Sequence, residues 1–204
     1  MKKLLVALAL CLLPAAARAQ GPQQQPAPQN EPAKTTPWRA PQNASARPKP
    51  LEVIPEEVFD SELKDLDARS FFLSNYRGQV FVINLWATWC GPCRMMIPEL
   101  NRIYKDYRGR GVEFVGLTAG DSEADAQAVR QAAAVLEVKY KLGWVDAETA
   151  KRLMYGRPSI PQTFVVAPDG HVVTHVLGYS NRIPAVVRKS IEEALNLPHA
   201  GHRP

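Results

Sequence analysis

Two cysteines separated by two residues, placed directly behind a buried-looking apolar run, constrain this chain more than any other feature. Gln79 to Leu85 reads QVFVINL, rich in β-branched and aromatic residues, and predicts a central strand buried on both faces. Trp86-Ala87-Thr88-Trp89-Cys90-Gly91-Pro92-Cys93 follows, and the second cysteine region opens a helical pattern that runs to about Tyr107 and ends near Gly109. The pair therefore sits where a strand hands over to a helix.

That position carries chemistry. A thiol at a helix N-terminus meets unpaired backbone N–H groups and the positive end of the macrodipole. Both favour the thiolate, the attacking species in disulfide exchange, and pull the pKa below the free value of about 8.5. The expected roles follow. Cys90, at the exposed helix start, attacks a substrate disulfide. Cys93, one turn further in and more buried, resolves the mixed disulfide. Pro92 has a backbone angle suited to a first helical turn, and Gly91 leaves room for a partner chain to approach.

Other uses of the pair fit less well. A bridge over so short a loop stabilises by only about 2 kcal/mol, a poor structural staple. Structural zinc takes four ligands, and the histidines lie far off in sequence. His171 and His175 share a face of a predicted strand, a spacing compatible with a metal but expected to be edge-strand surface. His199 and His202 fall in a polar tail.

The rest of the globular region alternates. Val112 to Leu117 predicts a second buried strand, and Gln162–Ala167 and His171–Leu177 predict a hairpin around Pro168-Asp169-Gly170. Helices are expected over Glu123 to about Val138, over Ala147–Met154 behind an Asp146 cap, and over Pro184–Leu195 with Asn181 near its start. A short strand completes the order between the second and third helices. This is an α/β domain with a central mixed sheet covered by helices, spanning residues 51–197.

The first fifty residues differ in kind. Lys2 and Lys3, the apolar stretch Leu4–Leu13, and Ala17-Arg18-Ala19 fit an export signal spanning residues 1–19 and cleaved before Gln20. Pro14 breaks a stretch already shorter than the roughly 20 residues of a membrane span, which disfavours the rival reading of an uncleaved anchor. Cys11, one of three cysteines, would leave with the signal, so the mature chain would hold only Cys90 and Cys93 in a compartment that permits disulfides. Residues 20–50, rich in Pro, Gln and Ala, predict an extended linker with Trp38 as its only aromatic residue. Residues 198–204 read as a flexible tail.

The net charge of +5 does not indicate a nucleic-acid partner. Lys2, Lys3 and Arg18 in the signal, and Lys34, Arg39, Arg47 and Lys49 against Glu31 in the linker, hold the excess. The domain itself is near neutral and shows no basic stripe.

Three blocks, WATWCGPC with its preceding strand, Asp65-Leu66-Asp67 with Asn75-Tyr76-Arg77-Gly78 upstream, and Ser159-Ile160-Pro161-Gln162-Thr163-Phe164 downstream, resemble the TlpA/ResA group of thioredoxin-like thiol–disulfide oxidoreductases. The resemblance covers roughly Val58 to Tyr179. It implies a thioredoxin-like fold with an added N-terminal β-hairpin, and a cis-proline at Pro161 facing the cysteines. It also implies that the backbone of Ile160 pairs with a bound peptide in the manner of β-augmentation, that Trp89 lines the peptide groove, and that Trp86 packs beneath the site. Two positions depart from the pattern. Asn84 stands six residues before Cys90, where cytoplasmic thioredoxins carry an aspartate, so the proton acceptor for Cys93 is unassigned. Met96 stands three residues after Cys93, where members acting in cytochrome c maturation carry a glutamate; Glu99, three further on, reads as a solvated helix residue.

The leading expectation is a periplasmic dithiol reductase acting on disulfides of exported client proteins and recharged by a membrane electron donor of the DsbD/CcdA kind, with no cofactor, no resident metal and no nucleic acid. The Gly-Pro dipeptide is that of thioredoxin, whose potential of about −270 mV lies far below the roughly −120 mV of an oxidant such as DsbA. A redox-poor module that binds clients or handles copper(I) is the alternative from another class, and Ile160-Pro161 argues against it. A peroxidase of the peroxiredoxin type relies on a lone peroxidatic cysteine, unlike this adjacent pair.

Overall fold

The computed structural model describes residues 53–197; the expected signal, the linker with Trp38, and the tail with His199 and His202 lie outside the described residues. In chain order the elements are α1 (Glu56–Phe59), β1 (Leu63–Asp65), β2 (Ser70–Phe71), β3 (Phe81–Trp86), α2 (Gly91–Tyr107), β4 (Glu113–Thr118), α3 (Ala126–Val135), β5 (Lys141–Trp144), α4 (Ala147–Leu153), β6 (Gln162–Val166), β7 (Val172–Leu177) and α5 (Ile183–Leu195).

The strands form one mixed sheet in the order β2-β1-β5-β4-β3-β6-β7. β3, β4 and β5 run parallel, and the remaining pairs are antiparallel. β1 and β2 are the added hairpin, joined to the sheet through Lys64 opposite Trp144. Alternation along β3 divides the core. Val82 and Trp86 pack with the buried face of α2 and α5, while Phe81, Ile83 and Leu85 pack with α1 and α4. Every residue of β3 is buried, as a central strand covered on both sides requires.

Local signals were mostly obeyed. The Asp146 carboxylate accepts from the N–H groups of Glu148 and Thr149 and caps α4. Gly170 takes φ +89° in the β6–β7 turn, where its N–H reaches the Ala167 carbonyl at 2.9 Å. α2 continues through Pro98, whose missing N–H leaves the Arg94 carbonyl without its helical donor.

The departures have physical causes. The strand expected over Gln79–Leu85 begins at Phe81 and extends to Trp86, because Trp86 still pairs with Thr118 on β4. The helix expected over Glu123–Val138 starts as a 3-10 turn closed reciprocally by Ser122 and Asp125, becomes α-helical only at Ala126, and stops at Val135 because Glu137 adopts φ +50°. Asn181 does not cap α5, whose cap position is Arg182 with no side-chain bond. The two strand histidines do not form a common surface. His171 precedes β7 and pairs with Asp169, whereas a register irregularity between Val165 and Val166 accompanies a half-buried His175 stacked on Phe164, ring centres 4.0 Å apart. Among the described residues no helix is long and apolar enough to cross a membrane.

Candidate active site

Cys90 is the N-cap of α2, with extended backbone, and its sulfur accepts the Cys93 N–H at 3.1 Å. The two sulfurs are joined in a disulfide with the Cα atoms 5.2 Å apart. No acidic side chain lies in the first turn of this 17-residue helix, so nothing there offsets the field that favours a thiolate.

One expectation fails in part. Cys93 is fully buried, but Cys90 is also covered, at 4 % exposure rather than standing open at the helix start. In the bridged state both sulfurs belong to the apolar cluster that includes Trp86, Ala87 and Met96. The exposed part of the motif is its rim: Trp89 is 67 % exposed, and Gly91 and Pro92 are open to solvent. A Cβ on Gly91 would meet nothing within 4 Å, so its small size clears space outside this chain rather than within it.

The turn carrying Trp89 is fastened from the neighbouring strand. The N–H and hydroxyl of Thr88 both donate to the Asp121 carboxylate, at 2.9 and 2.7 Å, and the Ala119 N–H donates to the Trp86 carbonyl at 2.8 Å. Gly120, at φ +125°, lies under the Trp89 indole; a Cβ there would come within 3.0 Å of the ring. Sequence reading missed Thr88, Gly120 and Asp121. Their only signal is that they close two neighbouring parallel strands at the same end of the sheet.

Ile160-Pro161 is a cis peptide bond. Topology brings it to the cysteines: Leu85 pairs with Gln162, so the residues before Gln162 lie beside those after Leu85, and Ile160 packs on the cluster that holds both sulfurs. Among the described residues, neither the N–H nor the carbonyl of Ile160 takes part in a loop or side-chain hydrogen bond. Gln162 orders this loop. Its Nε2 donates to the carbonyls of Arg157 and Ser159, both at 2.8 Å, which turns its Oε1 toward His175 Nε2 at 2.9 Å. His175 must therefore carry its proton on Nε2. Burial, helped by the Arg157 charge, lowers its pKa to about 4.

Beneath α2 the sheet carries a buried polar group. Asn84 Nδ2, Trp86 Nε1, Thr118 Oγ1 and Tyr140 Oη are all buried without a partner. The Thr163 hydroxyl donates to Asn84 Oδ1 at 3.3 Å. Gly116 makes room for the group: a Cβ there would meet Tyr140 at 3.1 Å and Trp86 Nε1 at 3.4 Å. Burial pushes the Tyr140 phenol far above its ordinary range, the nearby Asn84 amide opposing the shift. Asn84 is buried and does not ionise, and Met96 is packed in the core. Glu99 pairs with Arg102 on the partly open face of α2.

The chain matches the AhpC/TSA family over residues 54–175. It is 29 % identical over 125 residues to the thiol-disulfide oxidoreductase ResA of Bacillus cereus, a match covering 61 % of this chain and 70 % of that one. Among solved structures it resembles a thioredoxin-family thiol:disulfide interchange protein from Chlorobium tepidum, with 24 % identity and a TM-score of 0.59 over 75 % of this chain and all of that one. Peroxiredoxin Q from Xanthomonas campestris shares the fold at 15 % identity, with a TM-score of 0.59 over 72 % of this chain and 99 % of that one. Since the matched stretch takes in the helix-capping cysteine pair, its fastened turn and the cis-proline loop, the chain belongs to the AhpC/TSA family and is a thiol–disulfide oxidoreductase with a thioredoxin-like fold.

Proposed function

We propose that this protein is a dithiol reductase of the extracytoplasmic space, exported by residues 1–19, that reduces disulfides in exported client proteins. The observation that carries this reading is Cys90 as N-cap of α2, its sulfur already accepting a helix N–H at 3.1 Å. A sulfur held there is stabilised as thiolate once the bridge opens.

The cycle balances with two electrons. The Cys90 thiolate attacks one client sulfur, the client S–S bond breaks, and the other client sulfur leaves as thiolate and takes a proton. Cys93, deprotonated, then attacks Cys90 Sγ in the mixed disulfide. The Cys90–Cys93 bridge forms, and the second client sulfur leaves as a thiol. The client is reduced and the pair oxidised. A membrane donor of the DsbD/CcdA kind would return the two electrons and two protons.

Trp89, Gly91, Pro92, Ile160 and Pro161 would form the client-binding rim. The unpaired backbone of Ile160 supplies the donor and acceptor that a short added strand needs. Asn84 cannot take the Cys93 proton, and that step is left to solvent.

Equilibrating residues 53–197 with graded thiol–disulfide buffers, beside Cys90→Ser and Cys93→Ser chains, tests the reading. A potential below about −240 mV is expected of a reductase. A value above about −160 mV would make the protein an oxidant and overturn the proposed direction.

A further inference from the structure

Two open grooves flank the Thr88–Asp121 contact: Asp121 lines one, and Thr88 and Trp89 line the other. The larger, about 880 Å³, lies toward α4 and has Asp121, Asp125 and Asp146 on its walls. These carboxylates are engaged within the fold, Asp121 with Thr88, Asp125 with Ser122 and Asp146 with the first turn of α4. The smaller groove, about 360 Å³, lies between Trp89, Arg94 and α3.

On α3, Val129 points into the core. Ala128, Ala132 and Val135, at helical spacing, line the smaller groove, Ala132 packing against the core as well. Val135 is 79 % exposed and Trp89 67 %, so two large apolar side chains border one hollow beside the cysteines. Its walls are held in place. Asn101 on α2 donates to the carbonyls of Leu136 and Glu137 at the end of α3, both at 3.0 Å, and accepts the Lys139 N–H at 3.1 Å. The Thr88–Asp121 bonds hold the Trp89 side.

Arg94 is the one charged residue lining the groove. Its guanidinium reaches the Thr88 carbonyl at 3.4 Å and has no carboxylate within ion-pair reach among the described residues. A hollow with apolar walls and an unpaired cation complements an apolar side chain accompanied by a carboxylate.

We propose that this groove docks the segment flanking the cysteine of a redox partner protein, and that it selects an apolar residue next to an acidic one. The inference rests on the disulfide-exchange reading above. Trp89, which borders the groove, is the residue before Cys90, so the hollow lies close to where a partner's sulfur bonds. An extended chain advances about 3.3 Å per residue, so side chains two or three positions from the partner cysteine reach the hollow.

The experiment uses the reduced Cys93→Ser chain, in which Cys90 forms a mixed disulfide that cannot be resolved. Short peptides carry one cysteine as its pyridyl disulfide. Cys90 bonds the peptide sulfur, the peptide S–S bond breaks, and thiopyridone leaves and is read by absorbance. Rates with a Leu-Glu peptide, a Leu-Lys peptide and a Ser-Glu peptide are divided by the rate with neutral dipyridyl disulfide, which corrects for thiol reactivity. The Leu-Glu peptide is expected to react about fivefold faster than either other peptide, the scale of about 1 kcal/mol. Arg94→Glu should invert the Glu-over-Lys order, and Val135→Lys should abolish the Leu-over-Ser preference. Equal normalised rates in every chain would overturn docking while leaving the redox chemistry standing. Failure to react with dipyridyl disulfide itself would overturn both. Concentration-dependent dimerisation of the protein, lost in Val135→Lys, would assign the groove to a second copy and overturn the proposal.

Discussion

The two faces of the sheet are built from the same strands but differ in what they bury. On the α1–α4 side, Phe81, Ile83, Leu85, Leu117 and Phe164 form an apolar layer. On the α2–α5 side, the same strands bury Asn84, Trp86 and Thr118, joined by Tyr140, with polar atoms that have no partner among the described residues. The cysteine pair lies on this second side. An unpartnered buried polar atom costs about 1–3 kcal/mol, so the α2–α5 face, besides burying its own apolar cluster, tolerates unfavourable burial beneath the redox helix.

The contrast can be tested by substitution and urea unfolding. The largest effect is expected on the apolar face. Phe164→Ala should lose about 3–5 kcal/mol by leaving a cavity under β6 and β7. A loss below about 2 kcal/mol would mean that this layer does not carry the stability. Next comes the fastening of the active-site turn. Asp121→Ala removes both Thr88 bonds and should cost about 2 kcal/mol. Trp89 fluorescence should broaden with it, since the ring loses its fixed platform, and an unchanged spectrum would show that Gly120 alone holds the indole.

His175 is a titratable group on the apolar face, lying flat on Phe164. Its folded pKa of about 4 lies below the unfolded value of 6.5, so the unfolded chain binds the proton first as pH falls. Stability is full above 6.5 and declines between 6.5 and 4. After allowance for solvent at this half-buried ring, the decline is about 1–2 kcal/mol. His175→Phe should flatten that part of the pH–stability curve, and an undiminished slope would place the titration elsewhere. The smallest effect has the opposite sign. Thr118→Val removes an unpartnered buried hydroxyl at constant shape and should gain about 1 kcal/mol, whereas Thr163→Val, which breaks the bond to Asn84, should not. If Thr118→Val destabilises, the hydroxyl has a partner in solution and the contrast between the faces weakens.

Much of the site was legible because its signals are local. A strand, a cysteine pair and a helix are adjacent in the chain, and helix polarity acts within one turn. The Asp146 cap and the Asp169-Gly170 turn could be read for the same reason. What escaped depends on residues distant in sequence. Thr88 meets Asp121 only because β3 and β4 are parallel neighbours ending together. Gln162 orders the Arg157–Ser159 carbonyls because β7 returns His175 to its other side. The helix end at Val135 depended on one residue in a left-handed conformation, which no periodicity announces.

By itself the sequence determined the alternation of strands and helices, the pair at a helix start and the chemistry that follows, because hydrophobic period and capping are properties of contiguous residues. Only the tertiary structure decided that Cys90 is covered in the bridged state, that one sheet face carries the polar burden, and that Trp89 and α3 border a common groove. Those outcomes depend on strand register and on which helix covers which face, and both are settled by packing the whole sheet at once.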